Sequence, residues 1–160
     1  MQTRQMPGFP APLLSLVISI FLGCDQGFSP PEDHSPGAIS GIVSYTGVWP
    51  SPDSLHDLRF VGMRFVPTDT TDFLQLNRMV FSERLAYNVS SDSFKIEDVA
   101  PGVFFYSGIA QQFSGDLLSW RPVGLYETDN GIFVVKAGET ISVEIFVDFQ
   151  DLPRFPPEQP

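Results

Sequence analysis

Basic residues are scarce. Nine Lys and Arg stand against nineteen Asp and Glu, for a net charge of -10, and the nine are not clustered anywhere. Phosphate backbones demand clustered cations, so nucleic-acid binding is excluded. The same charge disfavours electrostatic docking onto anionic lipid. Long hydrophobic runs are missing as well. The stretch 13–22, LLSLVISIFL, is uncharged over only ten residues, against the roughly 20 that a spanning helix needs. Cysteine occurs once, as Cys24, which leaves no pair for an internal disulfide. Histidine occurs twice, as His34 and His56. No Gly-x-Ser-x-Gly turn exists beside either, and no phosphate-cradling glycine loop is present.

What is present suits one small domain. A chain of 160 residues with 42% hydrophobic content can bury a core. Fifteen phenylalanines favour pleated, half-buried surfaces over helices. Fifteen prolines and thirteen glycines punctuate the chain into short elements.

The run 13–22 has the length of a signal-peptide core, and Arg4 gives the stretch before it a positive charge. It ends in Phe21-Leu22-Gly23-Cys24. That ending resembles the lipobox of bacterial lipoproteins, in which a small residue precedes a cysteine that is acylated and becomes the mature N-terminus. Phe21 and Leu22 stand where the pattern usually has Leu and a small residue. The resemblance implies a signal peptide over 1–23 and lipid on Cys24, and it gives the lone thiol a role. Each buried methylene contributes about 0.8 kcal/mol, so two or three acyl chains hold where one would not. The expected partner of Cys24 is a lipid bilayer of the cell envelope, the outer membrane ahead of the inner. Residues 24–37 carry three prolines and no apolar period, which reads as an extended tether.

From residue 38 onward, short apolar alternations are bounded by Gly, Pro, Asp and Ser. Strands are predicted over 38–45, 58–66, 84–89, 93–99, 103–110, 121–127, 132–135 and 140–149. In the first, Ile39, Gly41, Val43 and Tyr45 share one side. The second is apolar on both faces, as befits a central strand or one beside a partner surface. In 93–99, Phe94, Ile96 and Asp98 share the inward side. Asn130-Gly131 is a hairpin turn signal. The segment 70–80 reads as a short helix capped by Thr71 or Asp72, or as a structured loop. Residues 151–160 form a proline-rich, frayed tail. The predicted fold is all-β: an Ig-like or prealbumin-like sandwich of about seven to eight strands over 38–150, with that one insertion.

The stretch 94–104, FKIEDVAPGVF, resembles a pattern of carboxypeptidase regulatory-like and transthyretin-like β-sandwiches: an alternating strand, a Pro-Gly turn and a strand with an aromatic residue. Residues 38–43, AISGIV, look like their opening strand, and 136–141, KAGETI, like the turn into their last one. The resemblance implies a sandwich used as an accessory module, and it brings no catalytic residues.

Candidate chemistry is thin. His56 with Asp53 and Asp57 could make a weak metal site, but the trio lacks the defined ligand spacing of a zinc site and reads as a solvated loop. Asp69 with Asp72, and Asp129 with Asn130, lack the ligand count of a calcium loop. Five scattered glutamates form no acid–base pair. No metal, no cofactor and no catalytic residue is expected. Three loop aromatics, Trp49, Trp120 and Tyr126, have a binding character, with Gln111, Gln112, Asp116 and Arg121 near two of them. Against that stands the reading that these rings cap the core. Two functions are therefore expected, neither of them enzymatic. The first is an envelope-anchored interaction or structural module with an exposed apolar patch. The alternative is a carbohydrate- or ligand-binding accessory lipoprotein that uses the loop aromatics.

Overall fold

A computed structural model describes residues 34–157. The run 13–22, Cys24 and the tether as far as Asp33 lie outside the described residues. Nine strands follow in chain order: β1 (Gly37–Thr46), β2 (Asp57–Met63), β3 (Met79–Phe81), β4 (Ser91–Val99), β5 (Gly102–Phe104), β6 (Tyr106–Gln112), β7 (Trp120–Leu125), β8 (Phe133–Val135) and β9 (Thr140–Asp148). One sheet has the order β4-β1-β9, a second β3-β2-β6-β7, and β5 and β8 form a small third pair. β1 runs antiparallel to β4 and parallel to β9. The fold is all-β and sandwich-like.

The main core lies between the three- and four-stranded sheets. Strand alternation aims Ile39 and Val43 of β1 and Val143, Ile145 and Val147 of β9 inward, where they meet Leu58, Phe60, Ile109 and Val123. Phe60 is fully buried and stacks on Phe94 at 4.5 Å. Each such side chain contributes roughly 1.5–3 kcal/mol on burial.

β2 is central in its sheet, and its other face is apolar too. Val61 and Met63 join Phe73, Met79 and Ala110 in a second buried cluster on the outside of the four-stranded sheet. Its cover comes from two 3-10 turns, Thr70–Leu74 and Leu76–Arg78. Asp69 caps the first turn, accepting from the Thr71 N–H at 2.7 Å, while the Asp72 carboxylate accepts from the N–H groups of Thr68 and Asp69. The cap residue is thus Asp69 rather than Thr71 or Asp72. The tail adds Phe155, packed on Phe73 at 5.2 Å and near Tyr106. As far as residue 157 the tail is docked rather than frayed.

Four strand expectations need correction. Residues 84–89 form no strand. They are pinned one by one: Arg84 on Asp57, the Leu85 N–H on the Leu58 carbonyl, the Ala86 N–H on the Asp92 carboxylate, with Asn88 in the left-handed region. The place beside β2 goes to β3. Residues 103–110 do not run as one strand; the chain changes sheets at Phe105, β5 pairing with β8 and β6 with β2 and β7. In β4 an extra residue opposite β1 puts Asp98 at φ +56, so Asp98 is exposed and Val99 turns inward. Asn130-Gly131 makes no hairpin, because β7 and β8 belong to different sheets; Asp129, Asn130 and Gly131 all take positive φ in a crossover. The tether also ends one residue early, with Gly37 already buried in β1.

Candidate functional site

The cover over the second cluster is incomplete, and the gap is a groove of about 300 Å³. The sheet supplies Asp57, Arg59, Val61 and Phe81. The 3-10 turns supply Phe73, Leu74 and Leu76, the β6–β7 connection supplies Leu117, and the first residue of β7 is Trp120. Leu74, Leu76 and Leu117 are 53%, 60% and 77% exposed. Exposed apolar residues are ordinary when scattered, but here they line one concavity.

Leu117 is held outward by its own loop. The Phe113 N–H donates to the Ser119 carbonyl at 3.0 Å, and the buried Ser119 hydroxyl bonds the carbonyls of Ser114 and Asp116 at 2.8 and 2.6 Å. These bonds tie the turn together, and Leu117 and Leu118 project from it. At one end of the groove the Asp57 carboxylate accepts from the Leu58 N–H, from Arg59 at 2.9 Å and from Arg84 at 3.2 Å. Its partners are donors of the chain itself, two of them cationic. His56 and Asp53 beside it are exposed. Asp69 and Asp72 are occupied by the turn they cap. Among the described residues, no group of three or more His, Cys, Asp or Glu is placed to hold a metal ion, and no helix is long and apolar enough to cross a membrane.

The three aromatics singled out from sequence fall in three separate groupings. Trp49 packs on Tyr45 at 4.7 Å, Phe149 at 4.6 Å and Tyr87 at 5.4 Å, capping one end of the main core. Tyr126 is buried, edge-on to Phe133 at 5.5 Å. Trp120 is half-buried against the second cluster and alone of the three lines the groove. Of the polar neighbours, Gln111 is fully buried: its amide donates to the Ser54 carbonyl, and its oxygen accepts from Arg121 at 3.1 and 3.2 Å. That network ties β6 to β7 and to the loop before β2. Cys24 lies outside the described residues. The Tyr45 hydroxyl is buried without a hydrogen-bond partner, and burial, helped by the charge of Asp92, holds its pKa far above the ordinary tyrosine range.

Sequence reasoning passed over Leu74, Leu76, Phe81 and Leu117. One signal was available: Leu117-Leu118 sits within SGDLLS, where turn residues surround two leucines with no strand to bury them.

Compared with family models, curated proteins and solved structures, the chain matches none of them.

Proposed function

We propose that this protein is a lipid-anchored module of the cell envelope, held by acylated Cys24, whose sandwich docks another envelope protein and performs no catalysis. The observation that carries the docking half is the apolar groove on the outside of the four-stranded sheet. Its long walls, from Phe73, Leu74, Leu76 and Leu117, offer no side-chain hydrogen bonds. A short apolar segment of a second protein satisfies them, whereas a sugar would leave its hydroxyls unpaired. The anchoring half rests on Phe21-Leu22-Gly23-Cys24 after the uncharged run.

Intact-mass spectrometry of protein extracted from host membranes, beside a Cys24→Ala version, tests the anchor. An N-terminus at Cys24 carrying acyl mass, lost in the variant, is the expected result. An unmodified chain beginning at Met1 would overturn it.

One observation favours carbohydrate or ligand binding as a second reading: Trp120 shares the groove with Asp57 and Arg59. Saturable quenching of tryptophan fluorescence by soluble envelope glycan fragments, abolished by Trp120→Leu, would move that reading to first place.

A further inference from the structure

The outer face of the three-stranded sheet is mostly polar, as in the Ser40–Ser142 hydroxyl contact at 3.2 Å. Among the described residues, β1, β4 and β9 expose only two large apolar side chains, Ile42 at 52% and Phe146 at 62%. Both line one cleft of about 420 Å³. Register explains the floor: Ile42 lies beside Glu144, and Ser44 beside Phe146, on adjacent parallel strands. The wall comes from Leu125, Glu127 and Thr128, where the chain leaves β7. β7 is brought hard against β9 by Gly124, where a Cβ would stand 2.5 Å from the Phe146 carbonyl oxygen. The cleft is therefore a fixed corner of the sandwich.

Two carboxylates, Glu127 and Glu144, line it, and no Lys or Arg does. Neither makes an ion pair or side-chain hydrogen bond among the described residues. Five of the nine Lys and Arg are engaged elsewhere: Arg59 and Arg84 on Asp57, Lys95 on Glu97, Lys136 on Glu139, and Arg64 on the carbonyls of Ala100 and Pro101. Two carboxylates that line one cleft set up a field there that favours a cation.

We propose that this cleft takes a Lys or Arg side chain of a partner protein. The cationic head sits between Glu127 and Glu144, and the aliphatic stem lies over Ile42 and Phe146. A partner is the source assigned to the cation, since no Lys or Arg of the described residues lines the cleft. The surface is separate from the groove, so neither reading depends on the other.

The test titrates the isotope-labelled full chain with N-acetyl-Leu-Lys-Leu-amide, followed by the backbone amide signals. The same peptide with norleucine in place of Lys serves as control. Perturbations confined to residues 42–44, 125–128 and 144–146 are expected. Binding should be about tenfold weaker for the norleucine peptide and for the Glu127→Gln, Glu144→Gln double variant. Both glutamates are exposed, so the double variant should keep the spectrum of the folded chain elsewhere. Equal binding of the two peptides, shifts at other residues, or no saturable binding at all would overturn the proposal.

Discussion

The two outer faces of this sandwich are made differently. On the three-stranded sheet, β1 and β9 alternate, with apolar residues inward and small or polar residues outward except at Ile42 and Phe146. That face meets water directly. On the four-stranded sheet, β2 is apolar on both sides, and the chain covers the outer side with two 3-10 turns and its C-terminal tail. A covered face is a second, smaller core; where the cover runs out, its apolar lining becomes an exposed groove. Exposure on the first face is a matter of two positions, and on the second it follows from architecture.

The contrast can be broken from the inside first. Phe60 belongs to the main core at 0% exposure, and Phe60→Ala should cost about 3–5 kcal/mol in urea unfolding, with loss of the whole cooperative transition. Phe155 belongs to the cover and is only half-buried. Phe155→Ala should cost about 1 kcal/mol, and faster amide exchange should stay local to the turns and the tail. Equal costs for the two would mean the cover is part of the main core.

Acid gives the smallest and most local effect. The Asp72 carboxyl is held below the usual carboxylate range, first by the Thr68 N–H, with further hydrogen bonds from the Thr68 hydroxyl, the Asp69 N–H and the Gln75 amide. Because its folded pKa is lowered, the cap is fully present above the ordinary carboxyl pKa of about 3.9. It is lost as pH falls through the lowered value. Protection of the Thr68 and Asp69 amides should drop at about pH 2 relative to about pH 5 while β1 and β9 stay protected. No such difference would show that Asp72 does not hold the turn.

The inner faces were legible because alternation reports burial directly: β1 and β9 alternate in the sequence as they do in the sheet, and the double-sided β2, which reads as central or beside a partner surface, lies between β3 and β6. The departures share one cause. Residues 84–89 have strand-like composition but are held by long-range anchors, Arg84 on Asp57 and Ala86 on Asp92, which local pattern does not carry. The break at Phe105 and the crossover at Asn130-Gly131 depend on which sheet each strand joins, a property of the pairing partners rather than of the segment. The groove was half legible. Trp120 was named from its polar neighbours, while Leu74, Leu76 and Leu117 were hidden in segments expected to be turn or helix. Trp49 and Tyr126 carry the same aromatic signal, but they spend it on packing against Tyr45, Phe149 and Phe133.

The most direct measurement is site-specific photocrosslinking in the host's own envelope. A photoreactive phenylalanine analogue would be placed at Leu117 in the groove and, separately, at Ser142 on the opposite outer face, both exposed positions. A discrete protein adduct from Leu117, absent from Ser142 and suppressed by Leu74→Asp with Leu76→Asp, is the expected result. Equal labelling from both faces, or none from Leu117, would contradict the groove as the docking surface.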